Sequence, residues 1–164
     1  MGLIATIKKP AVRVPLVISY PAGIGGGRRS SALVQLMDLA QTLLDAVGLP
    51  HHPGMQGKSL WPLLINETDR AHHRDDVYCE YYNALTTHKD PKAYGTMVRT
   101  DRYKLVVAHG QNTGELYDLA NDPSETNNQS DNPEYLKTKM ELLTRLTDRM
   151  AWTVDPLPLR EAPW

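Results

Sequence analysis

The sequence of 164 residues predicts an α/β fold of the mixed α+β kind, in which a strand and a helix precede a small antiparallel sheet packed on a C-terminal helix. Three observations predict it. Residues 12–20 contain a continuous β-branched and apolar run, residues 77–119 alternate short strand-like segments with turns, and residues 133–151 carry apolar side chains at helical spacing. With 41% hydrophobic and 23% charged residues, the chain can form a globular core.

The first part of the chain predicts one strand and one helix. Residues 14–18 are apolar throughout, as in a strand covered on both faces, and a Gly- and Pro-rich loop follows them. We place the start of the helix at Asp38 as N-cap, with Gln41 three residues later forming a variant of the capping box. The serines at 30–31 could instead cap an earlier start. Gly48 ends the helix at its C′ position.

The second part predicts the antiparallel sheet and the C-terminal helix. Strands are expected at 77–82, in a hairpin over 96–107 that turns at Thr100-Asp101, and at 115–119. Asn132 caps the helix, with Pro133 at its first position. The apolar stripe expected to lie across the sheet is Leu136, Met140, Leu143, Leu146 and Met150.

Charge and cysteine content exclude several functional classes. The chain has 18 lysine and arginine residues against 19 aspartate and glutamate residues. This balance gives no excess of positive charge, so we predict no nucleic-acid partner. The longest apolar runs are far shorter than a membrane span, so we predict no membrane partner. Cys79 is the single cysteine, which excludes an internal disulfide and a cysteine-built zinc site. The adjacent pairs His51-His52 and His72-His73 diverge and are interpreted as solvated loop histidines, so no metal site is predicted.

A polar and aromatic cluster follows Cys79. A strand cysteine is usually a small buried hydrophobe, and nothing in the sequence places a histidine base beside it. The cluster can line the mouth of a ligand site, although exposed strand residues explain it about as well. Its members are Glu80, Tyr81, Tyr82, Asn83 and His88.

Six phrases, taken in order and spacing, carry a family resemblance. They are Arg13-Val-Pro-Leu-Val-Ile, Pro21-Ala-Gly, Leu36-Met-Asp-Leu-Ala-Gln-Thr-Leu-Leu-Asp-Ala-Val-Gly-Leu, Gly57-Lys-Ser-Leu-Trp-Pro-Leu-Leu, Met97-Val-Arg-Thr-Asp-Arg-Tyr-Lys-Leu and Glu115-Leu-Tyr-Asp-Leu-Ala-Asn-Asp-Pro-Ser-Glu-Thr-Asn-Asn. From about residue 11 to 128 the chain resembles the C-terminal third of the sulfatase family, within the alkaline-phosphatase-like superfamily. The resemblance implies that residues 1–65 are the last strand and helix of the catalytic α/β domain. Residues 66–164 would then be the C-terminal subdomain, with its helix at 133–151. One departure is Gln41, where the family usually has proline.

The resemblance also implies a reaction, the hydrolysis of sulfuric esters. Sulfatases use a formylglycine made from a Cys/Ser-x-Pro-x-Arg motif, and calcium or a similar divalent cation stabilises the sulfate oxygens. Here Cys79 is followed by Glu-Tyr-Tyr-Asn, without the proline or the arginine. We therefore predict no catalytic residue, no metal ligand and no cofactor in this chain, and no activity of the chain alone. The divalent cation and a sulfate-ester substrate are expected only in a full-length family member.

The same resemblance predicts residues that contact substrate. Lys8 or Lys9 could replace the sulfate-binding lysine of the family, although in the register of Gly2-Leu3 that lysine would fall near Thr6. The cluster at 80–83, together with His88, would form one wall of the substrate cleft. Two alternatives stay open: a phosphonate or phosphate monoester hydrolase, which shares the scaffold, and a non-catalytic interaction module. A strand and a helix face without their neighbours also predict a homo-oligomer.

Overall fold

The computed structural model describes Ile7, residues 12–82 and residues 94–153. No helix in these ranges is long and apolar enough to cross a membrane. The helices are α1 (Asp38–Ala46), α2 (Trp61–Leu64) and α3 (Leu136–Trp152), the last preceded by a 3-10 turn at Pro133–Tyr135; the strands are β1 (Val77–Tyr82), β2 (Tyr94–Arg99), β3 (Tyr103–Ala108) and β4 (Thr113–Asp118).

The four strands form one antiparallel sheet in the order β1-β2-β3-β4. Its central row of facing residues runs from Cys79 through Met97 and Val106 to Glu115. The β2–β3 turn closes where Thr100 N donates to Tyr103 O at 2.8 Å. The predicted antiparallel sheet and C-terminal helix are confirmed, and the strand ends lie within two residues of the predicted ones. The division of the chain at residue 65 stays a prediction.

Helix α3 packs on one face of the sheet through a seam that differs in part from the predicted stripe. Leu142 and Leu146 are buried against Tyr78, Val98, Leu105 and Leu116, and Leu143 and Met150 are partly buried beside them. Leu136 and Met140 are instead more than half exposed. At 100° per residue both lie about 120° or more around the helix from Leu142, so they point away from the sheet. Their assignment to the stripe was wrong.

The opposite face of the sheet is covered near its centre by Ile7. Ile7 is buried there against Met97 and Val106, with Val12 and Cys79 partly buried at the margin. The two faces of the sheet therefore bury different layers, and β-strand alternation decides which side chain enters which layer.

Helix α1 begins at the predicted residue, but with different capping. The N-cap is Met37, which has no capping side chain, and Asp38 is the first helical residue. The predicted capping box is absent, because the Gln41 side chain donates to Gly57 O at 3.1 Å. The end follows the prediction: Gly48 has a φ of +69°, and Leu49 N donates to Leu44 O at 2.9 Å in a Schellman motif.

Residues 14–18 form no strand, so that prediction was wrong. The segment has no regular structure, and Val14 and Val17 are 65% and 88% exposed. A strand exists only through its ladder of hydrogen bonds, and the described part of the chain pairs no segment with this one.

Candidate functional site

The predicted substrate wall is only partly described and does not form a single surface. Lys8, Lys9, Asn83 and His88 lie outside the described residues. Glu80, Tyr81 and Tyr82 lie on β1, at one edge of the sheet. Because side chains alternate along a strand, Glu80 and Tyr82 share the face that α3 covers, whereas Tyr81 packs on the opposite face beside Met97.

Glu80 and Tyr82 belong to a polar and aromatic patch at the end of β1. The Tyr78 hydroxyl donates to Glu80 Oε2 at 2.7 Å, and burial followed by this hydrogen bond raises the pKa of Tyr78 above its ordinary value. The Tyr82 ring meets the Tyr94 ring edge-on, with centroids 5.7 Å apart.

The pairing of β1 with β2 places further residues of this patch on β2. Tyr94 faces Tyr82, Thr96 faces Glu80, and Thr96 Oγ1 lies 2.8 Å from His109 Nε2. Two phenol rings beside a carboxylate and an imidazole suit a ligand that has both an apolar face and several hydroxyl groups. Sequence reasoning missed Tyr94 and His109, although the hairpin register could have placed them opposite the β1 cluster.

Cys79 has the properties of a packed thiol and not of a nucleophile. It is partly buried on the face that carries Ile7, and burial, then the negative charge of Glu80, raises the pKa of its thiol. The sequence contains no complete Cys/Ser-x-Pro-x-Arg motif. The nearest match, Ser19-Tyr-Pro-Ala, continues with Gly23 where arginine would be needed.

A buried polar network around Asp38 was not foreseen. Asp38 is fully buried; its carboxylate accepts from Gln35 N at 2.8 Å and from Lys58 N at 2.9 Å, and pairs with Arg74. His73 Nε2 lies 3.6 Å from the same carboxylate and donates to Lys58 O at 3.2 Å. These bonds fix the start of α1 to the long connection after it, which indicates a structural function.

The interpretation of His73 as a solvated loop histidine was wrong, because it is only 5% exposed. The pKa of His73 is lowered, and burial is the largest cause. Asp38 opposes that effect, while the positive charges of Arg74 and Lys58 add to it. The neutral form of His73 is therefore favoured. No local pattern in the sequence predicted that this histidine is buried.

The described residues do not fit a divalent-cation site. Within Ile7, 12–82 and 94–153, no three histidine, cysteine, aspartate or glutamate side chains come together as ligands would. We assign no reaction step to a metal held by these residues.

The fold and the six phrases agree with the C-terminal portion of the sulfatase family. Residues 5–151 match the family described as N-sulphoglucosamine sulphohydrolase, C-terminal, and the chain belongs to this family. N-acetylglucosamine-6-O-sulfatase of Bacteroides thetaiotaomicron is 37% identical over 138 residues, which cover 83% of this chain and 24% of that protein. Delta 4,5-hexuronate-2-O-sulfatase of the same organism is 33% identical over 119 residues, or 73% of this chain and 24% of that protein. The chain thus spans about a quarter of the length of these relatives.

Solved structures agree with this assignment. A protein in complex with its substrate D-glucosamine-2-N,6-O-disulfate superposes with a TM-score of 0.76 and 32% identity, covering 92% of this chain and 30% of that chain. The phosphonate monoester hydrolase of Agrobacterium radiobacter superposes with a TM-score of 0.59 and 26% identity, over 72% of this chain and 25% of its own. The predicted sulfatase resemblance is confirmed, and the scaffold is shared with a phosphonate hydrolase.

Proposed function

We propose that this chain supplies the C-terminal part of a sulfuric ester hydrolase whose nucleophile and metal ligands come from a portion outside these 164 residues. The observation that carries the proposal is the family match over residues 5–151, combined with the absence of the nucleophile motif from the sequence. A sulfatase needs the formylglycine nucleophile for its chemical step, so the chain alone does not hydrolyse sulfate esters.

The contribution of the first part is to complete the catalytic α/β domain. Val17 and its apolar neighbours are exposed and pair with no strand in the described ranges, and Leu43 and Val47 of α1 are about two-thirds exposed. Beside them, a cavity of about 670 Å³ is lined by apolar side chains that include Tyr20 and Trp61. An apolar surface of this kind supports burial against another part of a larger protein.

The contribution of the second part is to select the substrate. The patch of Glu80, Tyr82, Tyr94 and His109 combines aromatic rings with polar groups, as recognition of a pyranose requires. Because the relative with 37% identity is an N-acetylglucosamine-6-O-sulfatase, a sulfated amino sugar is the proposed substrate class. Lys8, Lys9, Asn83 and His88 remain proposed members of the substrate site, as does Tyr81 from the opposite face.

The test has two arms. In the first, the purified chain is assayed with an aryl sulfate, and no turnover above buffer is expected. In the second, the chain replaces the matching C-terminal quarter of the Bacteroides thetaiotaomicron 6-O-sulfatase, and turnover of N-acetylglucosamine 6-sulfate is measured. We expect the chimera to be active and its activity to fall on Tyr82→Ala. Turnover by the chain alone that disappears on Cys79→Ala would contradict the proposal.

A second candidate reaction, phosphonate or phosphate monoester hydrolysis, is favoured by the likeness to the Agrobacterium radiobacter enzyme. The nucleophile and the metal ligands decide between the two reactions, so they are distinguished by assaying the full-length protein with an aryl sulfate and with a phosphonate monoester. A non-catalytic interaction module is the third candidate. It predicts that the DNA upstream of this reading frame encodes no Cys/Ser-x-Pro-x-Arg motif.

Self-association of the isolated chain follows from the same apolar surface. We propose a homo-oligomer in which residues 14–18 and α1 are covered by another copy. Light scattering should give a mass above that of the monomer, and Val17→Lys should lower it. A monomer over a wide concentration range would contradict this.

A further inference from the structure

A second cavity, of about 570 Å³, lies beside the glycine-rich loop, away from the β1 patch. Its polar lining comes from the backbone of residues 25–27 and from Arg28, Arg29, Ser30 and Arg70. The remaining lining is apolar; it includes Leu60 and Leu64 and, on the side of the exposed run at 14–18, Leu16, Val17 and Ile18.

Two of these arginines converge on one oxygen atom. Arg28 Nη1 and Arg70 Nε both donate to Asn66 Oδ1, the second at 2.9 Å. Arg28 is further fixed by bonds from Nε to Gly25 O at 2.8 Å and from Nη2 to Leu64 O. Asn66 itself adopts a left-handed backbone conformation, with a φ of +67°. Two like charges are thus held close together by neutral acceptors.

No counter-charge accompanies these arginines within the described ranges. Arg28, Arg29 and Arg70 form none of the ion pairs found there, whereas Arg74, Arg102, Arg145 and Arg149 each pair with an aspartate. Glu67 and Asp69, the nearest acidic residues in sequence, do not line the cavity. Repulsion between neighbouring cations is relieved when an anion binds between them.

We propose that Arg28, Arg29 and Arg70 form a binding site for a tetrahedral oxyanion, a sulfate or phosphate group, in this cavity. Guanidinium groups donate paired hydrogen bonds in a planar fork that matches the edge of such an anion. The Ser30 hydroxyl lies on the same rim, since its oxygen contacts both Ala32 N and Arg70 O. The apolar walls leave room for the body of a molecule that carries the anion. The site is separate from the proposed substrate patch and does not depend on sulfatase activity.

The test is isothermal titration of the full chain at low ionic strength with inorganic sulfate, inorganic phosphate and N-acetylglucosamine 6-sulfate, and with unsulfated N-acetylglucosamine as the neutral control. Saturable binding of the oxyanions is expected, weakened by added salt. Loss of one charge-assisted contact should weaken binding about tenfold in Arg70→Gln and in Arg29→Gln. If the sulfated sugar binds at least about tenfold more tightly than inorganic sulfate, the ligand of the site is a sulfate group carried by a sugar. If the two affinities are equal, the ligand is the free ion.

The matched control is Lys137→Gln, which removes one positive charge from an exposed position of α3 where the side chain is 90% exposed. It should leave binding within about twofold of the parent chain, because a screened distant charge contributes little. The proposal is overturned if no oxyanion binds saturably, or if Lys137→Gln weakens binding as much as Arg70→Gln. Unchanged melting temperatures of the two arginine variants show that both remain folded.

Discussion

The buried pair of Lys104 and Glu125 gives the sharpest test of how the sheet is stabilised. Lys104 Nζ lies 2.6 Å from Glu125 Oε2, and the two side chains are 1% and 4% exposed. At that distance and an effective dielectric constant of about 20, the attraction amounts to about 6 kcal/mol. Desolvation of both ions opposes much of this attraction, so the net contribution of the pair is smaller. The measurable quantity is the change in the free energy of unfolding when one partner is removed.

The perturbation is Glu125→Gln, which removes the negative charge and keeps the shape of the side chain. The native backbone at Glu125 has a φ of +56°, and glutamine meets the same steric limits there. An unpaired ammonium group would remain buried, which destabilises proteins by about 3–5 kcal/mol. That is a large part of the free energy of unfolding of a typical domain, which is about 5–15 kcal/mol.

Urea denaturation monitored by circular dichroism at pH 7 measures the effect. With a slope of about 2 kcal/mol per molar urea, the midpoint should fall by about 1.5–2.5 M. The control is Glu141→Gln on the surface of α3, where the pair with Lys137 is 3.9 Å long and exposed. Its loss should cost less than about 0.5 kcal/mol. The double change Lys104→Met with Glu125→Gln should recover stability relative to Glu125→Gln alone, because the buried ammonium group that lost its partner is then removed. Equal midpoints for Glu125→Gln and Glu141→Gln would refute the reasoning.

Three further predictions concern packing, pH and a tight backbone approach. Leu146→Ala should lower the free energy of unfolding by about 2–5 kcal/mol, whereas the exposed Leu136→Ala should cost under about 0.5 kcal/mol; equal urea midpoints would contradict the seam on α3. Because burial lowers the pKa of His73, this side chain binds a proton more readily in the unfolded chain than in the folded one. The contribution of neutral His73 to the free energy of unfolding is therefore complete above about pH 6.5 and is lost as the pH falls through the folded-state pKa. Melting temperatures at several pH values should show this loss, and His73→Gln should reduce the slope. A Cβ at position 57 would collide with Met37 O, so Gly57→Ala should lower the melting temperature by several degrees, while Gly25→Ala, which meets open space, should not.

Local signals in the sequence determined most of the regular elements. The β-branched and aromatic alternation of residues 77–119 and the turn residues between them predicted every strand of the sheet. Asn132, predicted to cap the C-terminal helix, instead caps the 3-10 turn that leads into α3, where its side chain accepts from Glu134 N at 3.0 Å. Gly48, in its left-handed conformation, marked the end of α1. These signals work because caps, turns and alternation depend on neighbours within a few residues. The order of the longer phrases determined the family.

Only the tertiary structure decided the remainder, because the interactions concerned join distant parts of the chain. The run at 14–18 has the composition of a strand, yet strand formation requires a partner that composition does not reveal. The face of α3 that is buried depends on where the helix crosses the sheet, so Leu142 entered the core in place of Met140. His73 is 35 positions from Asp38, the carboxylate whose network buries it. Lys104 is buried where Glu125, 21 positions away, pairs with it in the fold. A charged or polar side chain becomes a buried residue when a distant partner satisfies it, and folding alone brings that partner into contact.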